Sequence, residues 1–208
     1  LMDKIGTVQA PEKDWAPAGD KIKTKWADEV SVDNVLPEYP RPLMERSEWM
    51  NLNGLWDYGF NVSTSNSEPT MYDGKILVPF ALESSLSGVM QPMSESNALW
   101  YKREFTVPQE WNGKRVLINF GACDYSATVY VNGHDAVSHT GGSTAFSADI
   151  TDYLSPEGTN VLTVKVIDTT DETSQPVGKQ RKNAAGNGDI WYTPVSGIWQ
   201  TVWLRPGN

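Results

Sequence analysis

From Trp49 onward the chain reads as short apolar alternations separated by turn residues, the spacing of an all-β sandwich or barrel. The clearest alternation is Ala127 to Val131, where Ala127, Val129 and Val131 are set to face a core while Thr128 and Tyr130 face outward. Asn132-Gly133 follows directly. That pair readily takes the positive φ angles of a tight hairpin, so the chain is expected to reverse into Val137 to His139. Leu162 to Val166 repeats the alternation, bounded by Pro156-Glu157-Gly158 and by Asp168-Thr169-Thr170. Arg115 to Phe120, Gln200 to Leu204, Trp100 to Val107 and Gly54 to Phe60 complete a set of eight or so strands, enough for two packed sheets.

Before Trp49 the pattern fails. Leu1 to about Val35 is polar and aperiodic, and Pro37, Pro40 and Pro42 bias the residues before them away from helix. Residues 1–37 are therefore expected to form an extended arm, and residues 38–208 a single folded body. Within that body two irregular stretches, Asn61 to Lys75 and Thr170 to Ser196, exceed the length of ordinary connections and are candidates for function. The second holds Gly178, Gly186 and Gly188, then an acid and two aromatics in Asp189, Trp191 and Tyr192.

Length and charge narrow the function. The 208 residues suit one domain with a sizeable core, which needs neither disulfide nor metal for stability. A net charge of −9 disfavours nucleic acid, which requires a basic face. The short run of Lys179, Arg181 and Lys182 reads as a solvated loop. No stretch approaches the ~20 apolar residues of a membrane span, and no basic-then-apolar leader opens the chain.

Enzymatic readings fare poorly. Retaining or inverting glycoside hydrolysis needs two suitably spaced carboxyl groups, yet no repeating strand-and-helix pattern supplies a barrel to carry them, and Asp149 with Asp152 reads as a pair bracketing a turn. His134 and His139 give at most two imidazoles where a catalytic zinc takes three protein ligands, so no metal is expected. Cys123 beside Asp124 reads as a small buried hydrophobe. No nucleophile elbow, phosphate loop or dinucleotide fingerprint appears, so no cofactor is expected either. Sugars, by contrast, are held by aromatic faces and by carboxylates or amides, which Asp189, Trp191 and Tyr192 supply in one loop. Most of the nine tryptophans, Trp49, Trp56, Trp111, Trp199 and Trp203 among them, are expected in the core.

Short strings add a family resemblance. In order they are Leu52-Asn53-Gly54-Leu55-Trp56, Val78-Pro79-Phe80 with Glu83-Ser84, Trp100-Tyr101-Lys102-Arg103, Val116 to Gly121 with Asp124, Val129 to Gly133, His139 to Gly142 with Phe146, Asp149-Ile150-Thr151, and Ser196 to Leu204. Together they resemble the N-terminal domain of family 2 glycoside hydrolases, the group of β-galactosidases, β-glucuronidases and β-mannosidases. The resemblance covers about residues 38–206. It implies a jelly-roll β-sandwich of the galactose-binding-like type, joined in the full-length enzyme to an immunoglobulin-like domain and a catalytic barrel. It also implies that Asp189 reaches substrate hydroxyls in the barrel, with Trp191 and Tyr192 beside it. Residues 192–195 lengthen the spacing to Gly197 relative to better-known members. Gln91 stands in the loop where some β-galactosidases place an asparagine, and the family's catalytic glutamates have no matching positions here. The resemblance and the Leu1-Met2 opening together suggest a processed, periplasmic or secreted protein. Three functions stay open: a non-catalytic domain closing one wall of a barrel's carbohydrate pocket, an independent carbohydrate-binding module, and a structural or oligomerising sandwich.

Overall fold

The computed structural model describes residues 15–155, 158–172, 174–182 and 190–207. Twelve strands form among them: β1 (Met50–Asn51), β2 (Gly54–Val62), β3 (Gly74–Val78), β4 (Asn97–Phe105), β5 (Arg115–Phe120), β6 (Cys123–Asp124), β7 (Ser126–Val131), β8 (His134–Thr140), β9 (Phe146–Asp149), β10 (Asn160–Ile167), β11 (Gly197–Ile198) and β12 (Val202–Gly207). They assemble into a six-stranded sheet ordered β3-β2-β4-β10-β7-β8 and a four-stranded sheet ordered β1-β12-β5-β9, with β11 and β6 pairing separately. Every pairing is antiparallel. The protein is an all-β sandwich.

The core lies between the two sheets because each strand turns alternate residues inward. Trp56, Leu99, Tyr101, Val129, Leu162 and Val164 come from one sheet, and Val116, Ile118, Phe120, Val202 and Leu204 from the other. In β7 the inward positions are Ala127, Val129 and Val131, as the alternation predicts. Asn132 and Gly133 both take positive φ, at 50° and 80°, so the chain turns back into β8 as expected. Cys123 is fully buried, and burial, with Asp124 adding, pushes its thiol well above the ordinary range.

Tryptophan is less uniformly internal than composition suggests. Trp56 and Trp111 belong to the core. Trp203 is buried on the other face of the four-stranded sheet, under the Arg41 guanidinium and the edge of Tyr39. Trp49 and Trp199 are only half-buried, each on a rim where a second ring or a carbonyl completes its surroundings.

Residues 15–37 contain a short 3-10 turn over Lys25–Glu29 and a bridge between Ser31 and Asn34, and they lie against the body. Trp15 donates its indole N–H to the Leu86 carbonyl, Ala18 and Ser85 exchange two hydrogen bonds, and Asn53 binds the Val35 carbonyl. The stretch from Asn61 to Lys75 likewise folds back over the six-stranded sheet. There Lys165 holds Asn66 at 3.0 Å and Lys102 holds Glu68 at 3.2 Å.

Candidate functional site

The long segment after β10 leaves the sandwich at Asp168 and re-enters it at Ser196, and its two ends are tied to each other. One Asp168 carboxylate oxygen accepts from the Ser196 hydroxyl at 2.6 Å, while the other accepts from the Thr170 amide and the Gln175 side chain. The Ser196 amide donates to Glu83 at 2.9 Å, and the Ser196 carbonyl accepts from the Leu82 amide. Immediately after, Gly197 takes φ +84°, and a Cβ there would collide with the Tyr101 phenol oxygen. That phenol oxygen in turn accepts the Ile198 amide at 3.2 Å. Only glycine satisfies both the backbone angle and the space.

Electrostatics at this base are unusual for so acidic a chain. Glu83, Asp124 and Asp168 share the neighbourhood without a paired cation among the described residues. Burial is the main force pushing Glu83 up, against the Ser196 bonds that lower it, with the Asp168 charge adding to the rise. Burial likewise pushes Asp124 up to about 6, helped by the Asp168 charge and opposed by a hydrogen bond from Gln180. Asp124 is also packed hard against Gly142, where any side chain would strike its carboxylate.

Gln180 links this base to the aromatic tip. Its side-chain carbonyl accepts the Val195 amide at 2.6 Å, and its backbone bridges to Tyr192, whose amide and carbonyl bond Lys179 and Arg181. The basic run therefore does not simply float in solvent. Arg181 lies over the Trp191 ring at 4.2 Å, Lys179 over Tyr192 at 5.7 Å, and Lys182 pairs with Glu172 and Glu95. Trp191 remains 37% exposed and Tyr192 62%, so both rings keep area for a ligand.

Of the residues expected at a carbohydrate site, Trp191, Tyr192 and Gln91 are thus described, and Asp189 lies outside the described residues. Gln91 lines a cleft of about 170 Å³ together with Glu83, Lys182, Thr193 and Pro194. The fold therefore brings the loop of Gln91 against the strand of chain that carries Trp191 and Tyr192. The two rings sit outside that cleft, beside it.

Residues 62–206 match the family model described as glycosyl hydrolases family 2, sugar binding domain. The chain belongs to this family. Among curated relatives, a Paenibacillus borealis β-glucuronidase is 27% identical over 146 residues, covering 68% of this chain and 24% of the relative. A Felis catus β-glucuronidase is 32% identical over 160 residues, covering 69% and 23%. The crystal structure of Ruminococcus gnavus β-glucuronidase superposes with a TM-score of 0.59 at 26% identity, over 81% of this chain and 30% of that one. The family 2 sugar-binding domain described here thus spans about a quarter of the length of those curated relatives.

In this family 2 domain Trp191 and Tyr192 are exposed, and the buried base below them leaves no mark in the sequence. Glu83 and Asp124 appear within the family strings, but nothing in one sequence distinguishes a buried carboxylate from a solvated one. Asp168 read as a turn residue, because an aspartate followed by two threonines is also a common loop opening.

Proposed function

We propose that this family 2 sugar-binding domain is the non-catalytic partner of a glycosidase barrel acting on β-linked glycosides, and that its 170–196 loop forms part of that barrel's substrate pocket. The observation that carries the reading is the construction of the loop: a rigid, buried polar base at Asp168, Glu83 and Ser196 that presents the exposed Trp191 and Tyr192 beside Gln91. A chain segment held at its ends loses less binding energy in ordering itself on a ligand, and here the described ends are held by Asp168, Gln180 and Glu83. Asp189, Trp191, Tyr192 and Gln91 are the substrate-binding residues under this reading. The relatives named β-glucuronidase and β-galactosidase support a β-linked glycoside as substrate. Their greater length leaves room for the immunoglobulin-like and barrel domains that complete the enzyme.

The isolated chain should turn over no 4-nitrophenyl β-glucuronide or β-galactoside. Turnover that disappears with two of its own carboxylates would overturn the proposal. In the polypeptide that includes the barrel, Trp191→Ala and Asp189→Ala should each lower kcat/KM by about tenfold or more, the loss expected when substrate positioning is removed. Unchanged kinetics in both would remove the loop from the pocket. A periplasmic or secreted location belongs to the same proposal, and fractionation of producing cells checks it.

A further inference from the structure

A hollow lies on the outer face of the six-stranded sheet, and no described residue of the 170–196 loop lines it. Strands β4, β7 and β10 are neighbours there, and their register places Lys102, Thr163 and Tyr130 in one row across the sheet. Adjacent strands lie about 4.8 Å apart, so the three residues rise from neighbouring points on one face of the sheet. At one end of that row the Tyr130 ring stacks against Trp100 at 6.0 Å between centroids and 16° between planes, giving the hollow an aromatic floor. Trp100 itself is 2% exposed, and its indole N–H has no hydrogen-bond partner among the described residues.

The wall of the site is the stretch between β2 and β3, held in place over the sheet. Lys165 binds Asn66 at 3.0 Å, and Glu68 accepts from both Lys102 at 3.2 Å and the Tyr72 hydroxyl at 2.8 Å. The result is a hollow of about 400 Å³ with an aromatic floor and a rim of amide, carboxylate, ammonium and hydroxyl groups. That volume falls within the range of about 300–1,000 Å³ typical of small-ligand sites. Lys102 and Glu68 neutralise each other and are the charged groups of the lining, while the Lys165 ammonium stands behind it, turned to Asn66. An apolar ring face beneath and paired donors and acceptors around the edge suit a polyhydroxylated ring.

We propose that this hollow binds a neutral pyranose unit of an oligosaccharide, with the sugar's C–H face on Tyr130 and its hydroxyls on Lys102, Glu68 and Thr163. The site is independent of the 170–196 loop and would anchor the protein to a glycan without touching the reacting bond. It stands or falls separately from the function proposed above.

The test is a titration of the isotope-labelled chain with cellotriose, xylotriose and β-1,4-galactotriose, followed by amide and indole NMR signals. At least one sugar should produce saturable shifts at Lys102, Tyr130, Thr163 and the Trp100 indole N–H. Tyr130→Ala should weaken that binding by about tenfold, about 1.4 kcal/mol. Tyr130→Phe and Trp191→Ala should leave it within about threefold, under 1 kcal/mol. Should Tyr130→Ala fail to fold, Glu68→Ala removes a rim acceptor from outside the sheet and should give a several-fold loss. No saturable shift with any of the three sugars up to about 10 mM, well above the weakest useful affinities, overturns the proposal. So do shifts that gather on residues 179–195 and vanish with Trp191→Ala, which would assign the binding to the loop instead.

Discussion

The middle of the six-stranded sheet and the base of the 170–196 loop are both fully buried, yet they are built on opposite plans. In the sheet, Leu99, Val129, Leu162 and Val164 contribute apolar area that is non-directional and shared among many neighbours. At the loop base, a handful of directed bonds from Glu83, Asp168, Tyr101 and Ser196 hold the chain, and each group has few substitutes. An apolar core tolerates change in proportion to the volume lost. A buried polar network fails at whichever member is left without a partner. The loop base therefore carries more risk per residue than the core does, and it is the part that places the exposed aromatics.

Substitutions sharpen this contrast. The largest effect is expected from Gly197→Ala, because the new methyl group meets the Tyr101 phenol while the backbone stays at a positive φ. Relief requires either moving a buried tyrosine or flattening the loop's entry strand. A loss of more than about 4 kcal/mol, or no soluble protein, is expected, against the usual ~0.5–3 kcal/mol for a point substitution. Denaturant unfolding measures it, and a near-normal midpoint would show that the loop base yields easily. Leu162→Ala, fully buried in β10, is the matched probe of the apolar plan. It should cost about 3 kcal/mol, within the ~2–5 kcal/mol of such truncations, and leave amide exchange at Thr170, Ser196 and Ile198 protected.

Asp168→Ala should reverse that pattern. It leaves the Ser196 hydroxyl, the Gln175 amide and the Thr170 N–H without their acceptor. Global stability should fall by about 2 kcal/mol, in line with unpaired buried donors. The distinguishing readout is local: hydrogen exchange should accelerate around residues 168–182 and 190–198 while β7 and β10 stay protected. Uniform acceleration would mean that loop and core unfold as one unit.

The same contrast explains what a sequence exposes. Period-two alternation is written residue by residue in Ala127 to Val131 and Leu162 to Val166, and Asn132-Gly133 announces its own turn angles, so that half of the molecule was legible. The short strands β1, β6 and β11 were not, because two residues carry no period. Trp203 misleads for a related reason. Alternation places it outward, and only the packing of residues 36–49 shows that outward can also mean covered. At the site, an exposed loop with adjacent aromatics stood out by composition. The carboxylates that hold it come from Glu83, Asp124 and Asp168, distant in sequence and joined only by the fold.

The smallest expected effect is also the one that isolates the electrostatic cost of this plan. Asp124 has an ordinary value of 3.8, and in the fold burial and the Asp168 charge push it up to about 6. The fold therefore favours the neutral carboxyl. Its contribution to stability is complete below pH 3.8 and is lost as pH rises through about 6, the opposite of a salt-bridged aspartate. Asp124→Asn keeps the shape of the neutral form at every pH. Relative to the parent, the variant should gain stability as pH rises from about 4 to 7, most steeply near pH 5 and with most of the gain between about pH 4 and 6. Glu83, raised in the same direction, remains in both proteins, and its charge helps to raise Asp124, so the difference reads Asp124 together with that coupling. Thermal unfolding of the pair across that range measures the effect. A difference independent of pH would mean that Gln180 and the surrounding water already compensate the charge, and that the loop base is less costly to hold than its buried carboxylates imply.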